Sequence, residues 1–468
     1  MLDPEILKDL KELDKTSRRS NLSVRNRLLS IIHDNSYLLQ LKDRLFSGFD
    51  VPFVPNERCG TWYVNPSDYP TTCYFKSTDG HTGEWHFSTR RLNFHLLPLI
   101  AEKDSIAIVD STRSGKRMPD SLSKTIPIWC AIIGKCIRPT LSWDELLFVP
   151  DYVVSEIERD QILKRLPSLY EKFLELDIPL PDSVSRPLMP IWLQQKHRNL
   201  VDISDVAGML SPDQPFQPIF LVTASKSCQD GHDKMEGYTY VQGAADDHES
   251  WSCGLDAKLF WDNIQTFNAE DDTETVDKIS QLVSGKTISP SQKSPQASFW
   301  DPSDLTEITS QLYVGKLMAT PIELSDKWTS SQCELVVALD DEVYFKGSES
   351  TSQCSVYPLR SNTKKSSREL RARLPEIIRV IQSVLYRNNS ARILILCRTG
   401  EDLSIGVLLA CLCLFYDQGW CKRLIVNGKT AIDKKDIRRH LARIIEKRRV
   451  NPSRATLNSV HYFLMSNN

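Results

Sequence analysis

At 468 residues, with 41% hydrophobic and 25% charged side chains, the chain has the composition of a globular protein of two or three domains, not of a disordered or fibrous one. Its formal net charge is -2, so a nucleic-acid surface has to come from uneven placement of charge, and overall basicity is excluded as the attractive force. The 12 cysteines form no C-x-x-C pair, and Cys411 and Cys413 fall in an apolar run, which argues for reduced thiols in an intracellular protein and against a disulfide framework or a zinc site.

In chain order, Asp3 to Asp14 is charged and helical in pattern, so no signal peptide is expected. Helical spacing of Ile6, Leu7, Leu10 and Leu13, then of Leu28, Leu29, Ile31, Ile32, Leu38 and Leu39, predicts two helices over 5–46. Between them runs Lys15 to Arg27, basic and without an acid, which suits a solvated helix face or a contact to a phosphate backbone.

The segment Tyr74 to His95 holds three histidines, Arg90, Arg91 and several hydroxyls, with an Asp79-Gly80 turn signal, and is read as a functional loop leading into a helix over Leu92–Ile100. Ile106–Val109 reads as a buried strand that ends at Asp110 and opens into Ser111-Thr-Arg-Ser-Gly-Lys-Arg117. An acid at a strand end beside hydroxyls and cations suits a sugar phosphate or nucleotide. Trp143 to Leu180 is amphipathic and helical, with breaks expected at Pro150 and Pro167. Pro218–Ala224 is another strand, and a short strand at Tyr238 leads to Asp246-Asp-His-Glu249, where Asp246 and Asp247 suit Mg²⁺. Residues 268–297 are polar and read as a linker, dividing the chain into domains at 1–267 and 298–468.

In the second domain Leu312–Val314 and Leu335–Leu339 are expected strands and Arg371–Tyr386 a helix. Ile393–Leu396 is a buried strand and Ser404–Tyr416 a buried helix, with a tight turn around Gly400 between them. The run Leu403 to Tyr416 is too short to span a membrane. From Lys422 to Arg454 there are twelve Lys and Arg against three acids, Asp433, Asp436 and Glu446, which is the usual footprint for nucleic acid, and with no aromatic residues interleaved it suits a duplex backbone over single-stranded bases.

A Cys at 397, a Gly three residues on and a Ser seven residues on resemble the phosphate loop of dual-specificity phosphatases. Leu396 stands where that family has His, and Leu403 where it has the Arg that grips phosphate. Tyr357 to Asn362, where its general acid would lie, holds no acid. The turn Cys397, Arg398, Thr399, Gly400, Glu401, Asp402, Leu403, Ser404 is thus expected to cradle phosphate without hydrolysing it, with Cys397 a structural thiol.

Taken together, the stretches "KSTDGHTGEWHFSTRRLNFHLLP" (76–98), "IVDSTRSGKRMPDSLSKTIPIWC" (108–130), "GAADDHESW" (243–251) and "NPSRATLNSVHYFLM" (451–465) resemble the initiator-tRNA ribosyl-phosphate transferase family. The resemblance implies an α/β protein with a Rossmann-like nucleotide-binding N-terminal domain and a phosphatase-like C-terminal one. It implies transfer of 5-phosphoribose from phosphoribosyl pyrophosphate to a ribose 2′-OH in the T-stem, at adenosine 64, of initiator methionine tRNA, with Mg²⁺. On that reading Asp79, Asp110, Asp246 and Asp247 are candidate acids and His81 and His86 candidate bases; the residues do not choose among them. Arg90, Arg91, Arg113, Lys116, Arg117, Arg438, Arg439, Arg443, Lys447, Arg448 and Arg449 are the expected tRNA contacts. The rivals are a working cysteine phosphatase and a non-catalytic tRNA-binding pseudophosphatase. Donor phosphates are assigned to the 397–404 turn, because Met118-Pro119 argues against a helix starting directly after the 110–117 loop.

Overall fold

The computed structural model describes residues 21–466 except 78–82, 90, 114, 177, 179, 181–183, 196–202, 268–270, 287–298, 319–320, 326–328, 331, 347–352, 361–363, 425–431, 449 and 451. Asp79, His81, Arg90, Arg449 and the helix expected before Lys15 lie outside the described residues. The chain divides into two compact units, one of residues up to 88 with 96–172 and 180–289, the other of 89–95, 173–179 and 290 onward. No helix among the described residues is long and apolar enough to cross a membrane.

The first unit begins with α1 (Val24–Arg44), whose N-terminus is capped by Ser23. There follow β1 (Phe53–Pro55), α2 (Leu96–Lys103), β2 (Ile106–Asp110), α3 (Ile126–Ile137), α4 (Glu156–Leu174), β3 (Leu188–Gln194), β4 (Gln217–Thr223), the hairpin strands β5 (His232–Met235) and β6 (Tyr238–Val241), and α5 (Asp272–Lys286). β1, β2, β4 and β3 lie in that order in one parallel sheet. β2 and β4 are buried along their whole length, which is why they read as unbroken apolar runs. Pairing of Pro55 with Val109 and of Asp110 with Thr223 brings the strand ends to one level, so the loops after all four strands share one edge. In open parallel sheets that edge is where ligands bind.

Three expectations need correction. A helical turn does follow Pro119 directly: Ser121–Thr125 is a π-turn running into α3, and the Pro119 carbonyl accepts from the amides of Leu122 and Ser123, each at 3.1 Å. Proline is tolerated in a first turn because its missing N–H has no helical partner there anyway. Pro167 sits exposed inside α4, and the helix runs through it from Glu156 to Leu174. The stretch read as linker contains α5, which buries Thr275 and Ile279 and anchors Asp272 on the backbone N–H of Arg25 at 2.8 Å.

The second unit carries β7 (Leu312–Lys316), β8 (Leu335–Leu339), β9 (Cys354–Tyr357), α6 (Lys364–Arg387), β10 (Ile393–Cys397), α7 (Leu403–Phe415), α8 (Lys434–Lys447) and α9 (Arg454–Ser466). β9, β8, β10 and β7 are parallel neighbours in that order, with the two-residue strand Thr306–Glu307 antiparallel at the β7 edge. α7 is buried on every side except Leu414, and α6, α8 and α9 pack apolar faces around it.

On α8, His440 is fully buried and accepts a hydrogen bond at Nδ1 from Trp420 Nε1 at 3.0 Å. Burial, then Arg423 and Arg443 nearby, pushes its pKa down to about 4 against the opposing pull of Asp436 and Asp417. A folded pKa below the unfolded value means that the unfolded chain takes up the proton first. Stability is therefore full above about pH 6.5 and falls by about 3 kcal/mol as pH drops through 4. Urea melts of the second unit across that window should show the loss for the wild type, and a smaller one for His440→Asn; equal losses would contradict the assignment.

Candidate functional site

At the strand edge of the first unit, Asp110 is completely buried, yet every direction around its carboxylate is answered. Asn56 Nδ2 donates to Oδ2 at 2.8 Å, the Ser111 amide to Oδ1 at 2.8 Å and Cys59 Sγ to Oδ1 at 3.0 Å, and Ser121 Oγ closes on Oδ2. Arg58 Nη2 stands 3.6 Å from Asp110 Oδ1, while Nη1 of the same guanidinium donates to Asp246 Oδ1 at 2.7 Å. One arginine thus bridges the end of β2 to the loop after β6. Burial raises the Asp246 pKa, and Asp247 and Asp110 add to that; Arg58 and Arg113 oppose it. Asp247 is exposed and in the left-handed region at φ 49°.

Two glycines allow this convergence. A Cβ on Gly60 would collide with the carbonyl oxygen of Val109, so only glycine lets the turn after β1 lie on the end of β2. Gly243, at φ +66°, would place a Cβ 2.6 Å from the Thr112 carbonyl oxygen. Gln242 Nε2 then ties down the carbonyls of Arg113 at 3.1 Å and Lys116 at 2.8 Å, which fixes the 110–117 loop against the 242–247 loop. Among the described residues the hydroxyls of Thr112 and Thr223 are buried at this edge without a partner, a state that leaves hydrogen-bonding capacity to a ligand or water.

A second buried carboxylate, Asp34 on α1, supports the neighbouring loops. It accepts from Tyr240 Oη at 2.9 Å and from Gln195 Nε2 at 3.0 Å, and Tyr240 Oη in turn accepts from the Lys226 amide at 2.8 Å. Burial raises its pKa well above the usual range. The loops after β3 and β4 are therefore pinned to α1 by polar bonds that the sequence reading did not anticipate.

The turn at 397–404 in the second unit has a different character. Cys397 is buried and free, its Sγ 3.1 Å from Ser404 Oγ and 3.7 Å from Thr399 Oγ1. Arg398 makes a two-pronged pair with Asp340, Nε to Oδ2 at 2.8 Å and Nη2 to Oδ1 at 2.7 Å. Arg448 is buried beneath the turn: Nε donates to the Gly400 carbonyl at 3.2 Å and Nη1 to Thr306 Oγ1 at 2.9 Å, and Nη2 pairs with Asp304. The Gly400 amide bonds the Cys397 carbonyl at 3.2 Å and the Glu401 amide bonds Thr399 Oγ1 at 3.3 Å. Asp402, also buried, accepts from the Ser453 amide at 2.8 Å and Thr456 Oγ1 at 2.7 Å, and so ties the turn to the start of α9, which Ser453 Oγ caps at the Thr456 amide. Arg398 of the turn, Arg448 beneath it and two of the turn's amides are thus engaged inside the unit.

The expected tRNA contacts separate on inspection. Arg448 is an interior anchor and is corrected from that role. Arg443 lies 4.5 Å over the Trp420 ring and bonds the Gln418 carbonyl; Arg439 and Arg91 are half-buried. Lys447 is exposed but reaches the Ile308 carbonyl at 3.1 Å. Arg113, Arg117 and Arg438 are exposed, and Lys116 pairs with Asp120 at 3.3 Å. Of the basic run before residue 28, Arg25 bonds the Gly237 carbonyl at 3.0 Å, and Arg27 bonds the Ala244 carbonyl at 2.9 Å beneath Trp251, so both serve the fold. His86 is exposed, with Nε2 3.4 Å from Glu84 Oε2. Arg58 was missed; the signal for it was a cation directly after a strand end, the same pattern that singled out Arg113.

Residues 17–284 match the family model described as the Rit1 N-terminal domain, and residues 353–464 match the Rit1 DUSP-like domain. The tRNA A64-2′-O-ribosylphosphate transferase of Saccharomyces cerevisiae is 38% identical over 502 residues, covering 99% of this chain and 96% of its own length. An uncharacterized protein of Schizosaccharomyces pombe is 34% identical over 468 residues, covering 95% of this chain and 94% of its own length.

Proposed function

Because the chain belongs to the Rit1 family, we propose that it is a pentosyltransferase that moves ribosyl phosphate onto the 2′-OH of adenosine 64 of tRNA. The substrate reading is initiator methionine tRNA, the donor phosphoribosyl pyrophosphate, and the compartment the cytoplasm. The observation that carries the reading is the bridged cluster Asp110, Arg58 and Asp246 at the ligand-binding edge of a parallel sheet, which fits a Rossmann-like use of that edge.

In the reaction the 2′-oxygen forms a bond to the donor C1 as the bond from C1 to the pyrophosphate oxygen breaks. The electron pair leaves with pyrophosphate, and the hydroxyl proton passes to a carboxylate. On this reading Arg58, which bridges Asp110 and Asp246, and the exposed Arg113 lend positive charge to the edge where the leaving group would sit, and the Thr112 and Thr223 hydroxyls offer donors. Asp246, whose burial already favours its protonated form, is the base in this account.

Asp246 and Asp247 are also the residues to hold Mg²⁺. Among the described residues no group of three or more His, Cys, Asp or Glu is arranged to bind a metal. Two adjacent carboxylates nevertheless suit Mg²⁺, which commonly takes one or two protein carboxylates and completes its shell with substrate phosphates and water. Bound on the donor, it would neutralise charge on the departing pyrophosphate.

The engaged Arg398 and Arg448 and the engaged Gly400 and Glu401 amides weigh against a donor cradle at the 397–404 turn, so this reading seats the donor at the strand edge of the first unit. They weigh equally against a phosphatase, since the Cys397 thiol lies against the hydroxyls of Ser404 and Thr399 and bonds no base or guanidinium among the described residues. The test is incubation with phosphoribosyl pyrophosphate, Mg²⁺ and tRNA, followed by mass mapping of nuclease fragments. A ribosyl-phosphate adduct on the fragment containing adenosine 64 is expected. Hydrolysis of an aryl phosphate without any adduct would overturn the reading in favour of the phosphatase.

A further inference from the structure

Three helices of the second unit present cations and an aromatic ring side by side. α9 buries Leu457, Val460, Phe463 and Leu464 and turns Arg454, Asn458, Tyr462 and Met465 outward at helical spacing, leaving Tyr462 51% exposed. The exposed guanidinium of Arg371, on α6, stacks over that ring, and Arg368 lies one turn earlier on the same helix face. Lys434 and Arg438 are exposed one turn apart on α8, which packs, like α6 and α9, against α7. Nearby acids are occupied elsewhere. Asp433 and Asp436 cap α8 reciprocally at 2.8 and 3.1 Å, and Glu376 pairs with Arg373 at 3.2 Å.

Resting on the tRNA reading above, we propose that the exposed sides of α6, α8 and α9 form one docking surface for an A-form RNA stem. Arg368, Arg371, Lys434 and Arg438 meet its phosphates, and Tyr462 lies against its sugar edge. Charge complementarity selects the partner. Cations on separate helices can follow a backbone, while a half-exposed ring held by a guanidinium gives the ribose a flat apolar contact. A protein partner would need a continuous apolar patch, and only Tyr462 and Met465 are exposed large hydrophobics on this face among the described residues. The surface also explains why the basic excess of 422–454 is only partly available: part of it is interior, and α6 supplies what is missing.

The test is filter binding of tRNA to the full chain over a range of salt concentrations. Arg371→Gln and Arg438→Gln should each weaken binding about five- to tenfold and lower the slope of log affinity against log salt by about 1. Tyr462→Ala should weaken binding about fivefold, and Tyr462→Phe should leave it unchanged, because the ring and not the hydroxyl makes the contact. All of these positions are exposed, and unchanged melting curves will show that the variants fold. Wild-type affinity and slope in folded Arg371→Gln and Arg438→Gln would overturn the surface, even if the wild type transfers ribosyl phosphate. Reduced slopes in a protein that transfers nothing would uphold the surface and sink the transferase reading. Equal competition by a B-form DNA duplex of the same length would overturn the assignment to an A-form stem.

Discussion

Arg58→Gln is expected to lower transfer about 100- to 1000-fold, the usual cost of removing one fixed charge-stabilising donor from a transition state. The side chain contacts Asp246 at 2.7 Å and Asp110 at 3.6 Å, and its loss leaves two carboxylates facing each other without the cation between them. Breaking so enclosed an ion pair also costs stability, about 3 kcal/mol, so melting must be measured beside turnover. Arg58→Lys keeps the charge, loses the bridging fork and should fall in between. Arg58 holds the Asp246 pKa down, so its removal should also move the acid limb of the pH–rate profile to higher pH. Full activity in a folded Arg58→Gln protein would remove this cluster from the reaction.

Gly400→Val should destabilise the second unit by about 3 kcal/mol or more while donor binding survives in the protein that remains folded. At φ +68° a β-branched residue is strained in itself, and its Cβ would lie 2.5 Å from Arg448 Nη2 and 3.2 Å from the Gly315 backbone carbon. Arg448 would have to leave Asp304 and the Gly400 carbonyl, and with them its hold on the strand Thr306–Glu307. Chemical denaturation should show the shift, and calorimetric titration with phosphoribosyl pyrophosphate below the transition should show wild-type affinity. Abolished donor binding with an unaltered denaturation curve would restore the turn as the donor's cradle.

The parallel strands were legible because strands covered on both faces are continuously apolar, as in Ile106–Val109, Leu335–Leu339 and Ile393–Leu396. The strand–turn–helix around Gly400 was legible for the same reason. Its side-chain partners were not. Asp304 and Asp340 come from loops tens of residues away, and no local spacing reveals that they occupy Arg448 and Arg398. Basic runs misled in one consistent way: Arg25, Arg27 and Arg448 look like free surface charge in sequence but bond carbonyls of the fold, and Arg448 a carboxylate as well. α5 was hidden by polar composition, although Val276, Ile279, Leu282 and Val283 keep a helical stripe. Arg58 was visible only as a cation after a strand. Its meaning required Asp246, 188 residues on.

The most direct measurement sets Cys397→Ser against Asp246→Asn in single-turnover transfer from phosphoribosyl pyrophosphate to tRNA. The Cys397 thiol faces the hydroxyls of Ser404 and Thr399, while Asp246 sits in the cluster bridged by Arg58. Cys397→Ser should retain most of the wild-type rate, and Asp246→Asn should lose about 100-fold or more with tRNA affinity unchanged. Loss of transfer in Cys397→Ser together with near-normal turnover by Asp246→Asn would contradict the account and place the chemistry in the phosphatase-like turn.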